Sequence, residues 1–369
     1  IAPPPACPSS RPPPPPARKC ASYVTRVARD RLHTTEFYRQ DLEILESLGH
    51  EVTIATRLRE VPRDADLVFL WWWNWLWLVG PVFKLRGLPI CITGSLEPEI
   101  YERRRWHYRF LVRHGLRFAD RSVFVSRYMI ARLAAMFPLK NAEYCPHIVL
   151  DEYRPASLDN RRSEPDVIFN VTWKKAANMR RKMLPELIDA FAIVKRTRPQ
   201  ARLVLAGEPM EGQAELERQA GALGVSDSIE FLGKISKEEK IDWMQRCGAY
   251  YQCSRHEGFG LAIAEAMACG APVVVNRRTA IPEVVGDCGY YVDDDSPAAI
   301  AAKLSEALSQ PDAAQEIGLK AARRIDEEFR FERRRKFFAQ LLPTLVADHP
   351  RASEPSDLGA AQSRRTAAA

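Results

Sequence analysis

The chain lacks any pair of cysteines two residues apart, although it holds eight (Cys7, Cys20, Cys91, Cys145, Cys247, Cys253, Cys269 and Cys288). A zinc ribbon or a redox dithiol needs that spacing, so neither is expected. Scattered thiols, some within apolar runs, suit buried, reduced side chains in a cytoplasmic protein. No repeat at a solenoid period is present, which excludes stacked-repeat architectures. The N-terminus is proline-rich rather than basic and then apolar, so a signal peptide is not expected. No uninterrupted membrane span stands out either. The best candidate, residues 67–83 (LVFLWWWNWLWLVGPVF), is broken by Asn74, Gly80 and Pro81 and begins like a strand. It reads as a buried strand leading into a helix, with Trp71, Trp72, Trp73, Trp75 and Trp77 as candidates for a sugar-facing wall or an interfacial anchor.

What is present describes a globular protein: 369 residues, 46% hydrophobic and 27% charged, enough for two α/β domains. The net charge of +7 suits an anionic partner, either a nucleoside diphosphate, an anionic membrane surface or a nucleic acid. Nucleic acid is disfavoured because no motif combining aromatic and basic recognition residues is found.

Residues 1–18 and 349–369 are too rich in Pro, or in Ala, Arg and Ser, to bury a core, and read as disordered tails. Between them the pattern alternates. A helix with apolar Phe37, Leu42, Leu45 and Leu48 ends at Gly49, and EVTIAT, ADLVFLWW, LPICITG and RSVFVSR follow as short apolar strands separated by helices. After PHIVLDEYRP, which has proline at both ends, a second series begins with PDVIFNVTW, a helix with apolar Leu184, Leu187, Ile188, Phe191 and Val194, and the strand ARLVLAG. The pattern predicts two doubly wound parallel-sheet domains, residues 19–150 and 151–325, with a further helix over 326–348 and ligand in the cleft between them.

The most informative string is SRHEGFGLAIAEAMACG, residues 254–270. Gly258-Phe259-Gly260 permits a tight turn and close approach of a ligand, and residues 261–267 form a good helix stopped at Gly270. A glycine turn opening a helix presents unpaired N–H groups and the positive end of a dipole, which suits an anion. Glu257 precedes that helix and Glu265 lies eight positions on, so both carboxylates can face one ligand.

This string resembles the E-x7-E signature of the family 4 retaining glycosyltransferases, which have the GT-B fold. GHEVTIAT, ADRSVFVSRYMIARL, PHIVLDEYRP, ARLVLAGEP, SIEFLGKISKEE, APVVVNRRTAIPEVVGDCGYYVD and FRFERRRKFFAQLL extend the resemblance over most of the chain. It implies that Glu265 binds ribose hydroxyls and Glu257 donor-sugar hydroxyls. Backbone groups of Gly258, Phe259, Gly260 and Leu261 would face the diphosphate and sugar, and Gly233, Lys234 and Ile235 the base. Thr279, Ala280 and Ile281 would approach the sugar and phosphate, while Glu283 reads as a helix-start acid. The two diphosphate cations map to Lys182 and to one of Lys174, Lys175 and Arg180, with Lys174 first. The implied activity is retaining transfer of a hexose from a UDP- or GDP-sugar to a glycan, lipid-linked or small-molecule acceptor. The leaving diphosphate would deprotonate the acceptor, and no tightly bound cofactor or metal is expected.

The first domain departs from that pattern. RDRLHTTEFYRQ replaces the usual glycine pair, with His33 as a positional substitute, and Gly94 and Ser95 stand where a histidine is frequent. An inactive partner subunit, or another enzyme of the same fold such as an epimerase or phosphorylase, is therefore the competing reading. Residues 101–121 read as a basic helix carrying seven arginines with Trp106, Phe110 and Leu111. They are a candidate for the anionic inner face of the plasma membrane.

Overall fold

The computed structural model describes residues 19–24, 35–157 and 163–349. The two tails, apart from His349, and the loop that holds His33 lie outside the described residues. The first six strands are β1 (Lys19–Val24), β2 (Glu51–Ala55), β3 (Leu67–Trp71), β4 (Ile90–Thr93), β5 (Arg121–Phe124) and β6 (Ala142–Tyr144), forming one parallel sheet in the order β2-β1-β3-β4-β5-β6. The second sheet holds β7 (Glu164–Val171), β8 (Arg202–Ala206), β9 (Ile229–Gly233), β10 (Cys247–Tyr251), β11 (Val273–Val275) and β12 (Tyr290–Tyr291), in the order β12-β11-β10-β7-β8-β9. All ten strand pairings are parallel. Parallel strands need crossovers, and these are the helices that cover both faces.

Local sequence explains the elements. Helix Leu184–Thr197 turns Leu184, Leu187, Ile188, Phe191 and Val194 inward, the i, i+3, i+4 stripe of a helix packed on a sheet. Each fully buried side chain of this size contributes about 1.5–3 kcal/mol relative to exposure. The tryptophan-rich stretch resolves into the wholly buried strand β3 and helix Leu76–Leu85, which contains Pro81. Trp71 and Trp73 are 1% exposed, and Trp73 stacks on Phe124 at 4.7 Å, so these two rings are core. Among the described residues no helix is long and apolar enough to cross a membrane. The seven described cysteines are free and buried, and burial raises the Cys20 thiol to about 12.

The basic stretch is not one helix. Helices Pro98–Arg103 and Trp106–Gly115 are separated by extended Arg104 and Arg105, and the chain then reaches β5 through a short turn. The break separates Arg103 from the arginines beyond it, yet Trp106 (72% exposed) and Phe110 (51% exposed) still stand in solvent beside exposed Arg105, Arg109 and Arg113.

The last described helix, Phe331–Ala347, returns to the first sheet. Phe338 meets Phe69 at 5.4 Å between ring centroids, and Leu342 and Leu345 are buried with them. Its closure fixes one sheet against the other.

Candidate functional site

Strands β10 and β7 are neighbours in the second sheet, and the chain leaves their carboxyl ends in opposite directions. Such a switch point opens a crevice where a doubly wound sheet takes its ligand. Two loops meet there: the one after β7, leading through helix Ala176–Arg181 to Lys182, and the one after β10, leading to Glu257.

The loop after β10 is held from below. Asn276 accepts a hydrogen bond from the Ser254 amide (3.1 Å) and donates through Nδ2 to the Ser254 carbonyl (3.1 Å). The Glu257 carboxylate then receives Ser254 Oγ at 3.0 Å, Gln252 Nε2 at 3.3 Å and Arg181 Nη1 at 2.7 Å. Its backbone N–H donates to Thr279 Oγ1 at 2.9 Å. Thr279 has φ 50°, a strained conformation for a β-branched residue that costs on the order of 1–3 kcal/mol and is common at ligand sites. The glycines have separate reasons to be there. A Cβ on Gly258 would lie 2.3 Å from Ser95 Oγ of the first domain, and Gly260, the N-cap of helix Leu261–Ala268, has φ 95°. The Phe259 ring is engaged in packing, edge-on to His147 (5.7 Å) and Phe329 (5.6 Å), which leaves the backbone of the turn to face the cleft.

Glu265 is inside the first turns of that helix and only 4% exposed. Lys240 Nζ lies 3.1 Å from its Oε2. Burial raises the Glu265 carboxyl to about 8 against the lowering effect of Lys240, and nearby Glu36 of the first domain adds to the rise. Helix Lys237–Arg246 is fixed at its start by a capping box between Ser236 and Glu239, which sets the turn on which Lys240 reaches inward.

Lys182 follows helix Ala176–Arg181 and precedes Met183, whose φ of 52° turns the chain into the next helix. Burial lowers the Lys182 ammonium pKa, while the carboxylates of both Glu257 and Glu265 act to raise it. Lys174 is a correction. It is fully buried, and its Nζ donates to the carbonyls of Ala206, Leu205 (3.4 Å) and Gly207 (3.3 Å) at the end of β8, so its charge is spent inside the second domain. Lys175 and Arg180 are exposed. The second cation facing Glu257 is Arg181, which sequence reasoning missed because residues 173–181 extend the loop and leave the register open.

Gly233 ends β9 at φ 69° and accepts a hydrogen bond from the Gly207 amide at 2.7 Å, with Lys234 exposed and Ile235 half-buried beside it. The first domain reaches the same cleft. His256 Nδ1 is 2.6 Å from Glu97 Oε2, and Glu97 in turn accepts Ser95 Oγ at 3.4 Å. Glu283 does more than open its own helix. Its carboxylate accepts the amides of Arg127 (2.8 Å) and Tyr128 (2.6 Å), capping helix Arg127–Ala134 across the cleft. Nothing in the local sequence signals that long-range role.

The profile of the glycosyl transferases group 1 family matches residues 171–324. The chain is 26% identical over 320 residues to a GDP-mannose-dependent alpha-(1-6)-phosphatidylinositol monomannoside mannosyltransferase of Mycolicibacterium smegmatis, covering 79% of this chain and 80% of that protein. It is 28% identical over 232 residues to a D-inositol 3-phosphate glycosyltransferase of Streptomyces scabiei, of which it spans about half (51%, against 58% of this chain). Among solved structures, sucrose-phosphate synthase from Thermosynechococcus elongatus superposes with TM-score 0.73 at 18% identity, over 90% of this chain and 100% of that one. Anabaena HepE in complex with UDP and glucose gives 0.69 at 18% identity, over 89% and 100%. Residues 171–324 thus match the glycosyl transferases group 1 profile, within a chain whose two facing sheets have the GT-B fold.

Proposed function

We propose that this protein transfers a sugar from a nucleoside diphosphate sugar to a glycolipid, glycan or small-molecule acceptor, with retention at the anomeric carbon. The observation that carries this reading is the placement of Glu257 and Glu265 on either side of the Gly258–Gly260 turn, Glu257 held by Arg181 at 2.7 Å and Glu265 by Lys240 at 3.1 Å. In this reading Glu265 accepts the ribose hydroxyls and Glu257 the donor-sugar hydroxyls. The N-terminal amides of helix Leu261–Ala268 take the diphosphate together with Lys182 and Arg181. Gly233, Lys234 and Ile235 border the base. Preorganised cations and amides stabilise the charge that develops on the departing diphosphate, each such donor being worth about 2.7–4 kcal/mol in comparable sites. That diphosphate then takes the acceptor proton on the same face.

The donor is a UDP- or GDP-sugar: one relative is named for GDP-mannose, and one structural neighbour holds UDP. A relative named for a phosphatidylinositol monomannoside supports a glycolipid acceptor. The exposed Trp106 and Phe110 beside arginines suit a peripheral position on an anionic membrane. Thermal unfolding with millimolar UDP, GDP and ADP tests the site. A ligand that binds only the folded state at about 100 times its Kd stabilises by about 2.7 kcal/mol, so UDP or GDP should raise the Tm. No shift with any of the three would contradict the reading.

A further inference from the structure

Trp173 is 65% exposed, although the residues on either side of it, Thr172 and Lys174, are buried. The main chain there is pinned. The ladder between β7 and β8 runs on past Val171: the Thr172 amide donates to the Ala206 carbonyl at 3.0 Å, and the Lys174 amide to the Glu208 carbonyl at 2.9 Å. The Lys174 ammonium also donates to the carbonyls of Leu205 and Gly207. Gly207 permits this closeness, since a Cβ on it would lie 2.3 Å from the Thr172 carbonyl oxygen. A large aromatic ring is thus held in solvent by a fixed backbone, at the carboxyl end of a central strand.

Strand alternation decides which face of the sheet it belongs to. Phe169 stacks on Trp243 at 5.7 Å, in helix Lys237–Arg246, the helix that carries Lys240. Ile168 packs on the opposite face, with Leu187 and Phe191. Extended pairing through Lys174 keeps that period of two, so Trp173 falls on the side of Phe169 and Val171. Val171 packs there into one apolar cluster with Ile235, in the turn after β9, and with Leu261, the first residue of the helix that carries Glu265. On the reading of this crevice as a nucleotide site, we infer that the Trp173 indole stacks on the nucleobase of the donor. The diphosphate and the sugar hydroxyls call for amides, cations and carboxylates, and those groups lie around the Gly258–Gly260 turn. The base is the flat, π-faced part of a nucleoside diphosphate sugar, and a fixed, exposed indole between the Glu265 side and the Ile235 turn matches it. Stacking needs no particular hydrogen-bond pattern, so this contact serves uracil and guanine alike.

The test uses the full chain labelled with 5-fluorotryptophan. One 19F resonance, identified by its loss in Trp173→Phe, should shift on addition of UDP or GDP. It should stay in place with inorganic pyrophosphate, which has no base to offer. In calorimetry Trp173→Ala should bind UDP and GDP roughly fivefold to 150-fold more weakly than the wild type, the equivalent of one base–aromatic stack of about 1–3 kcal/mol. Trp173→Tyr, which keeps an aromatic face, should recover most of that loss. Nucleotide binding that leaves the resonance in place, or that keeps full affinity in Trp173→Ala, overturns the stacking while the nucleotide site stands. A shift with pyrophosphate as large as that with GDP also overturns it, because the ring would then report the loop and not the base. A wild type that binds neither UDP nor GDP removes the nucleotide-site reading, and the stacking with it.

Discussion

Arg334 and Asp41 form a two-pronged ion pair, Nε to Oδ1 at 2.7 Å and Nη2 to Oδ2 at 3.1 Å, between the returning helix and helix Glu36–Ser47 of the first domain. Both side chains are at most 2% exposed, and Arg334 Nη1 also donates to the carbonyls of Cys145 and Pro146 at 2.9 Å each. One guanidinium thus ties helix Phe331–Ala347, helix Glu36–Ser47 and the start of the connection together. Removing one partner of a buried pair strands the other charge, at a cost of about 3–5 kcal/mol. Arg334→Met should lose that much in urea unfolding, and the double variant Arg334→Met, Asp41→Leu should recover part of it. A loss under about 1 kcal/mol in the single variant would show that the pair is not the clamp.

His147 should make the protein acid-sensitive. Its ring sits between Phe37 and Phe259, and its Nδ1 is enclosed without a partner among the described residues. Burial, helped by Arg334, lowers its pKa from 6.5 to about 3. The folded state therefore holds the neutral ring, and the unfolded chain takes up a proton as pH falls below about 6.5. Stability from this residue is complete above that pH and drains as pH falls toward 3. Urea midpoints at pH 7 and pH 5 should separate more for the wild type than for His147→Asn; equal separations would place the acid sensitivity elsewhere.

Vesicle binding checks the membrane reading. Each basic residue near an anionic leaflet contributes about 1 kcal/mol, screened by salt. The protein should cosediment with vesicles containing anionic lipid, weakly with neutral ones, and dissociate at high salt. Arg103→Ser, Arg104→Ser and Arg105→Ser together should weaken this without altering nucleotide affinity. Binding that ignores lipid charge would leave residues 101–121 as an ordinary solvated face.

The parts of this fold that sequence revealed are those whose cause is local. The stripe from Leu184 to Val194, the strand-to-helix reading of residues 67–83 and the glycine turn before Leu261 each depend on neighbouring residues, and each stands where it was expected. The misplacements have a different origin. Lys174 and Arg181 lie in one connection, and which of them faces the cleft depends on how residues 173–175 and helix Ala176–Arg181 run before Met183 reverses the chain. Basic residues 101–121 looked continuous because composition does not show where Arg104 and Arg105 adopt extended backbone. Contacts across the cleft, Glu97 with His256 and Glu283 with the Arg127 amide, join residues far apart in the chain, and no periodicity encodes them.

The division of work between Glu265 and Glu257 is the central claim, and calorimetry of the two alanine variants with the nucleoside diphosphate that raises the Tm tests it most directly. Loss of a charge-assisted hydrogen bond costs about 1.5–3 kcal/mol, roughly tenfold to a hundredfold in affinity. Glu265→Ala should lose that much. Glu257→Ala frees Arg181 from its 2.7 Å ion pair, so the nucleoside diphosphate should bind at least as well as to the wild type while sugar transfer collapses. Equal losses of nucleotide affinity in the two variants would contradict the account.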